Sequence, residues 1–251
     1  MISDQFSRTR ALLGDSAVSH IINSKIAVFG IGGVGSYCAE ALGRAGVGSL
    51  HLYDDDVVSE SNLNRQIEAL HSTIGQFKAQ VMAQRILDIN PSCQVVAIPL
   101  FYIPGSADKA DLSQYDYVAD CIDTVSGKLE LISRCKSMGI PIISAMGTGN
   151  RMDPTALTIT DISKTEGCPL ARVMRKELRK RGIQHLKVVC SLEPPITPVC
   201  QIPRELLDHP SCNHTTVSSN CRRNIPGSGP FVPPVAGLIM ASAIIKELTN
   251  S

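Results

Sequence analysis

Aromatic side chains are scarce in this sequence, which contains no tryptophan and only 4% aromatic residues. A platform of rings for stacking single-stranded bases is therefore not expected. An excess of either charge is lacking as well, since 24 basic and 23 acidic residues leave a net charge of +1. This balance excludes a protein that coats a polyanion with its whole surface, but it is compatible with a local basic patch.

Paired cysteines and long apolar runs are also lacking. Nine cysteines are scattered along the chain, and no two form a C-x-x-C pair. Scattered cysteines, without an apolar leader at the N-terminus, predict free thiols and a cytoplasmic protein. The main apolar run, residues 235–245, covers 11 residues, whereas a bilayer span needs roughly 20. We therefore expect a buried C-terminal helix and no membrane partner.

Short apolar strands alternate with amphipathic helices between residues 25 and 150. The pattern predicts strands at 25–30, 50–53, 94–98, 117–122 and 140–144, and helices at 33–45, 76–89 and 127–138. Such alternation is typical of an α/β fold with a doubly wound, mostly parallel, Rossmann-like sheet.

The pattern changes after residue 150, where two more predicted strands flank a helix near 169–181 and a proline-rich loop covers 193–230. We predict a single adenylation domain over residues 1–251. Its first half, 1–150, would bind nucleotide. The C-terminal extension, 151–251, would hold the substrate or a second subunit.

A glycine-rich turn follows the first predicted strand and opens the next helix. Its glycines are Gly30, Gly32, Gly33 and Gly35. They would let a phosphate approach the backbone beside the free N–H groups of a helix start. Asp54 ends the second strand, 19 residues past Gly35, where a carboxylate usually binds ribose hydroxyls. A nucleotide site with Asp54 and Asp56 is predicted; a glycine turn without a ligand is the alternative.

A cluster of phosphate-binding side chains is predicted beyond this turn. Asn62, Arg65 and Gln66 have the i, i+3, i+4 spacing that a helical turn places on one face. Lys78 begins the next helix. Two cations and an amide suit a triphosphate attacked at its α-phosphate, because they neutralise charge on the leaving pyrophosphate. A nicotinamide site needs no such cluster, and the alternative for Arg65 and Lys78 is a solvated helix face.

Asp123 follows the fourth predicted strand, at the edge that lines the ligand crevice of an open α/β sheet. A carboxylate there could hold magnesium that bridges ATP phosphates. The alternative is a capping residue for the helix that follows.

Residues 172–181 hold six cations in ten positions. Helical spacing places four of them on one face: Arg172, Arg175, Lys176 and Arg179. This face predicts a contact with the phosphate backbone of a nucleic acid. A solvated amphipathic helix is the alternative.

Four segments together resemble the ubiquitin-activating-enzyme-like superfamily, whose members adenylate carboxylates with ATP. They are GIGGVGS (30–36), DDDVVSESNLNRQ (54–66), GQFK (75–78) and DCID (120–123). Three further segments resemble its tRNA threonylcarbamoyladenosine dehydratase branch: FSRTRALLG (6–14), SAMGTGNRMDPT (144–155) and CPLARVMRKELRKRGI (168–183). The resemblance covers nearly the whole chain.

The resemblance implies ATP and magnesium as cofactors and assigns roles by matching positions. Asp54 matches the ribose-binding position, and Asp123 matches the magnesium-associated aspartate. Asn62, Arg65 and Lys78 match phosphate-handling positions. Arg8 matches an arginine that reaches the ATP site of the partner in related homodimers, so the resemblance implies a homodimer here.

The implied reaction is ATP-dependent dehydration of threonylcarbamoyladenosine beside the anticodon of tRNA, through a carboxyl-adenylate. Activation of a sulfur-carrier protein is a second hypothesis, and a non-catalytic scaffold of a sulfur relay is a third; a sulfur-relay protein is thus a further candidate partner beside tRNA. The missing C-x-x-C pairs disfavour the second hypothesis, because sulfur-carrier-activating relatives commonly use two such pairs to bind zinc. The presence of both Arg65 and Lys78 disfavours the third.

Overall fold

The computed structural model describes residues 4–200 and 226–249. Its strands are β1 Lys25–Phe29, β2 Ser49–Tyr53, β3 Gln94–Ile98, β4 Tyr117–Asp120, β5 Ile142–Ala145, β6 Leu157–Asp161 and β7 Lys187–Ser191. Its α-helices are α1 Ser7–Leu13, α2 Asp15–Asn23, α3 Gly35–Ala45, α4 Lys78–Ile89, α5 Val125–Met138, α6 Pro169–Lys180 and α7 Val232–Thr249.

All seven strands form one sheet in the order β3-β2-β1-β4-β5-β7-β6. Every neighbouring pair is parallel except β6 and β7. The predicted doubly wound, mostly parallel α/β fold is therefore confirmed. The strand order reverses between β1 and β4, and such a switch point opens a ligand crevice at the carboxyl ends of the two strands.

Helices cover both faces of the sheet, and the alternation of side chains along each strand separates two cores. Along β1, Ile26 and Val28 join the core under α3, α4 and α7, whereas Ala27 and Phe29 join the core under α5 and α6. Burial on both faces explains why the strands are apolar runs rather than alternating patterns.

β4 is shorter than the predicted 117–122, because the chain leaves the sheet after Asp120. The Asp120 carboxylate accepts a hydrogen bond from the N–H of Ile122 (3.2 Å) and binds the Lys128 ammonium of α5 (3.0 Å). The Ser144 hydroxyl of β5 also donates to it at 2.5 Å. All three side chains of this ion cluster are buried. The cluster thus fixes the turn that leads to Asp123.

α7 is longer than the apolar run that predicted it. Its 18 residues have the length and composition of a membrane span, but 56% of that segment is buried inside the protein. Gly237 crosses α3 so closely that a Cβ there would overlap the carbonyl oxygen of Val34. The expectation of a buried C-terminal helix is therefore confirmed.

Part of the predicted 193–230 loop, residues 201–225, lies outside the described residues. Within the described part, all seven cysteines are free: Cys38, Cys93, Cys121, Cys135, Cys168, Cys190 and Cys200. These cysteines agree with the expectation of free thiols.

Candidate nucleotide-binding site

The glycine-rich turn connects β1 to α3 at the carboxyl edge of the sheet. Gly30 has a left-handed φ of +86°, and a Cβ there would lie 2.7 Å from the carbonyl oxygen of Cys121. Glycine meets both demands because it lacks a Cβ and tolerates positive φ. α3 begins at Gly35, and the side chain of the preceding Val34 makes no capping hydrogen bond. No side chain there competes with an anion for the N–H groups of the helix start.

Asp54 follows β2 and is tied to this turn. Its Oδ2 accepts a hydrogen bond from the N–H of Ile31 (2.6 Å), and its Oδ1 accepts one from the N–H of Asp56 (2.9 Å). Burial raises the pKa of Asp54 to about 6, and the nearby charge of Lys78 opposes that rise. The carboxylate therefore lies where the nucleotide crevice begins, as its predicted ribose-binding role requires.

A tight turn holds the predicted amide and arginine residues. The N–H groups of Arg65 and Gln66 both donate to the Asn62 carbonyl at 3.0 Å, so the expected helical turn is present. A Cβ on Gly33 would lie 3.5 Å from Arg65 Cγ, and one on Gly32 would lie 3.7 Å from Gln66 Nε2. Arg65 and Gln66 thus lie directly against the glycine-rich turn. The Asn62 amide is used locally, because its Oδ1 accepts the N–H of Ser59 (3.1 Å).

Arg65 is the half-buried cation of this turn. Its Nη1 donates to the Ser61 carbonyl (2.8 Å) and to the Asn64 side-chain oxygen (2.9 Å). Burial lowers the pKa of Arg65, and the nearby Glu68 opposes that effect. An arginine remains charged despite such a shift, so it can still neutralise a phosphate.

Lys78 is the first residue of α4, and its side chain is 7% exposed. Its ammonium group donates to Asp56 Oδ2 at 2.8 Å. Burial alone would lower the pKa of Lys78, but nearby carboxylates, Asp54 foremost, reverse that effect and raise it. Asp56 therefore orients Lys78.

Asp123 is exposed at the carboxyl edge of the sheet. The residue that caps α5 is Thr124, which makes no side-chain capping bond. Asp123 is therefore not the N-cap residue of α5, which was the alternative role for it. Its carboxylate remains available to a cation at the crevice.

Glycines, carboxylates and cations thus converge at the β1–β4 switch point. The ThiF family model matches residues 6–251. The chain belongs to the ThiF family.

Two curated relatives of this ThiF-family chain carry the name tRNA threonylcarbamoyladenosine dehydratase. The Bacillus subtilis (strain 168) protein is 42% identical over 97% of this chain and 94% of its own length. The Escherichia coli (strain K12) protein is 34% identical over 97% of this chain and 93% of its own length. The resemblance to the dehydratase branch is confirmed. A sulfur carrier protein ThiS adenylyltransferase of E. coli is 36% identical over only 58% of this chain.

A solved structure of the E. coli tRNA N6-threonylcarbamoyladenosine dehydratase in complex with ATP has the same fold. It matches with a TM-score of 0.85 and 33% sequence identity, and the match covers 100% of this chain and 97% of that one. The AMP complex matches with the same TM-score at 34% identity.

Glu68 is a buried residue near Asp54 and Lys78 of the candidate site, and the sequence did not single it out. It is 1% exposed, and neither carboxylate oxygen makes a hydrogen bond of normal geometry within the described residues; the nearby Ser36 hydroxyl is equally enclosed. Burial raises the pKa of Glu68 to about 7, although Lys78 and Ser36 act in the opposite direction. Its position two residues after Gln66 was the one signal in the sequence that could have pointed to it. A glutamate in a turn is ordinarily solvated, however, so the sequence gives no reason to expect its burial.

The predicted nucleic-acid face lies on α6. Arg172, Lys176 and Arg179 are exposed there. Arg175 differs, because its guanidinium is half-buried and donates to the carbonyl of Thr165 at 2.8 Å. Only three of the four cations therefore remain free to meet a phosphate backbone.

Arg8 is exposed on α1. Two residues before it, the ring of Phe6 packs where a Cβ on Gly46 would be, at 3.2 Å. Gly46 precedes β2 and therefore marks the amino edge of the sheet, opposite the edge that holds Asp54.

Proposed function

We propose that this protein is an ATP-dependent tRNA threonylcarbamoyladenosine dehydratase. The supporting observation is the cluster of Asp54, Arg65 and Lys78 around the glycine-rich turn in a chain that resembles such enzymes over nearly its whole length. Together they provide a ribose contact and two cations for a triphosphate.

The proposed reaction has two steps. An oxygen of the substrate carboxylate attacks the α-phosphorus of ATP, a P–O bond forms, and the bond to the β-phosphate breaks to release pyrophosphate. The ureido group of the same substrate then attacks the activated carbonyl and closes a ring; the bond from the acyl carbon to the AMP oxygen breaks to release AMP, and the ureido group loses a proton to solvent. Because this nucleophile is intramolecular, the protein supplies mainly position and charge. Arg65 and Lys78 would neutralise the departing pyrophosphate.

Magnesium fits the chemistry of Asp123, which offers an exposed carboxylate beside the expected phosphates. Magnesium prefers one or two carboxylates together with phosphate oxygens. When bound there, it would neutralise phosphate charge. Asp123 is the residue proposed to hold it.

A homodimer is proposed from the position of Arg8 at the opposite edge of its own sheet. The partner subunit's Arg8 would complete each ATP site. We further propose a cytoplasmic protein with one domain, in which 1–150 binds nucleotide and 151–251 binds substrate or the second subunit. A sulfur-relay protein is proposed as an additional partner, and tRNA is the macromolecular substrate.

ATP–pyrophosphate exchange tests the proposal. Exchange should appear with tRNA that carries threonylcarbamoyladenosine and not with a ubiquitin-like sulfur-carrier protein. Asp54→Ala and Arg65→Ala should abolish it without unfolding the chain, whereas Arg134→Gln on α5, whose partners are Asp108 and Glu130, should not. Exchange driven by the carrier protein alone would instead assign the sulfur-carrier activity.

A further inference from the structure

Arg151 carries a buried charge that the proposed reaction has not used. The residue is 4% exposed, and its Nη1 is enclosed without a hydrogen-bond partner. Its Nε donates to the carbonyl of Gly147 at 3.2 Å. No carboxylate within the described residues forms an ion pair with it. An uncompensated buried charge is costly, so a missing anionic partner is the simplest explanation.

The sheet places this guanidinium at the same carboxyl edge as the nucleotide crevice. Asp120 of β4 pairs with Ser144 of β5, so the chain segments leading to Asp123 and to Gly147 leave the same edge side by side. Neighbouring strands lie only about 5 Å apart. Arg151, held on Gly147, therefore lies beyond the end of β5, at the same edge of the sheet as Asp123.

A helix start adds positive potential at the same place. A Cβ on Gly147 would lie 3.4 Å from Cys168 Sγ and 3.7 Å from Leu170 Cβ, at the beginning of α6. Cys168 caps this 12-residue helix by accepting the N–H of Ala171 at 3.5 Å. A helix N-terminus favours an anion and disfavours a cation. A negative group at this place would therefore be stabilised both by the unpaired guanidinium and by the N-terminus of α6.

The loop that carries Arg151 is joined to the phosphate side of the site by hydrogen bonds. Asn150 has a φ of +57°, and it exchanges two hydrogen bonds with Gly227, at 2.7 and 2.6 Å. The next residue, Ser228, accepts a hydrogen bond from the side chain of Asn64 at 2.8 Å, and Asn64 in turn accepts one from Arg65. A residue other than glycine keeps a positive φ only where its surroundings hold it there, and such residues are often found at functional sites. This series of hydrogen bonds thus links the loop that carries Arg151 to the turn that carries Arg65.

We propose that Arg151 binds the substrate carboxylate that is adenylated, and orients it toward the α-phosphate. The inference rests on the proposed function, since it needs a carboxylate substrate and ATP in adjoining positions. A guanidinium suits this ligand because its N–H groups match the two oxygens of a carboxylate. Formation of the acyl-adenylate removes the negative charge, so the contact weakens once the first step is complete.

The test compares Arg151→Gln, Arg151→Met and Arg151→Lys with the unchanged protein and with Arg134→Gln. Removal of a charge-assisted contact should lower kcat/KM for tRNA carrying threonylcarbamoyladenosine by about 10- to 100-fold. Affinity for ATP alone, and for tRNA without the threonylcarbamoyl group, should stay within twofold. Arg151→Lys should keep part of the activity, and Arg134→Gln all of it.

Stability distinguishes a ligand contact from a structural role. Because the charge is unpaired, Arg151→Met should unfold at the same temperature as the unchanged protein or at a higher one. A lower unfolding temperature that accounts for the lost activity would overturn the proposal. So would a parallel loss of ATP affinity, which would assign the anion to the phosphates of the nucleotide. If the unchanged protein itself fails to convert the modified tRNA, the proposed function fails instead.

Discussion

Replacement of Glu68 by glutamine should stabilise the folded protein at pH 8 and leave its stability unchanged near pH 4. The carboxyl group is enclosed, and burial raises its pKa from its ordinary value of 4.5 to about 7. The folded state therefore favours the neutral acid. The stability that the neutral Glu68 carboxyl contributes is fully present below the unfolded-state pKa, and it is lost as the pH rises through the folded-state pKa.

The size of the effect follows from that difference in pKa. Each unit of difference in pKa corresponds to about 1.4 kcal/mol, so ionisation of Glu68 should lower the free energy of unfolding by roughly 3 kcal/mol between pH 4 and pH 8. Glutamine keeps the shape of the side chain but cannot ionise. The free energy of unfolding, measured by urea denaturation at several pH values, should therefore show a gap between Glu68→Gln and the unchanged protein that widens from pH 4.5 to pH 8.

Glu40 provides a matched control, since it is also a buried glutamate on the same side of the sheet. Its pKa is lowered by hydrogen bonds from Arg85 and Arg44, although burial acts in the opposite direction. Glu40→Gln should therefore destabilise the protein at neutral pH, and that loss should disappear as the pH falls. A gap for Glu68→Gln that does not vary with pH, or one with the sign expected for Glu40→Gln, would refute the reasoning.

Two further predictions concern the dimer and tRNA. Arg8→Ala and Arg65→Ala should each inactivate a homodimer, but mixed subunits should regain activity because one site then contains both arginines; no recovery despite proven subunit exchange would contradict a cross-subunit role. Charge reversal on the free face of α6 should weaken tRNA binding and reduce the slope of log affinity against log salt by about one for each lost phosphate contact, with no change in ATP affinity. The cations to reverse are Arg172, Lys176 and Arg179, and equal affinities at every salt concentration would show a merely solvated face.

The geometry of the glycine-rich turn was predictable because its signals are local. The turn at Gly30 needs a positive φ and a close approach to Cys121, and glycine alone supplies both. Asp54 was predictable because a strand end fixes its position, and the sequence shows where the strand ends. In both cases the backbone determines the place of the residue, so spacing along the chain was sufficient.

The charged residues that spacing misjudged depend on contacts between distant segments. Helical periodicity placed Arg175 on the basic face, but the segment before α6 brings the Thr165 carbonyl within reach and withdraws that cation. Glu68 and Arg151 gain their character from burial without a partner, which arises only when several elements pack around them. Charge in a sequence shows which residues can pair, whereas the folded chain shows which of them do not.

The charges at the candidate nucleotide site lead us to expect that ATP binding needs help from outside this cluster. Its members are Asp54, Asp56, Glu68, Arg65 and Lys78. Carboxylates already outnumber cations there, and a triphosphate adds more negative charge. Three compensations follow from the proposed function: magnesium at Asp123, the partner subunit's Arg8, and a proton on Glu68. Because all three offset the same excess of negative charge, loss of one should make ATP binding depend more strongly on the other two. Arg8→Ala should therefore need more magnesium and should bind ATP better at pH 6 than at pH 8, and a further Glu68→Gln change should reduce that pH difference, with Asp54 accounting for the remainder. An Arg8→Ala protein whose ATP affinity is independent of both pH and magnesium would show that these charges do not act together.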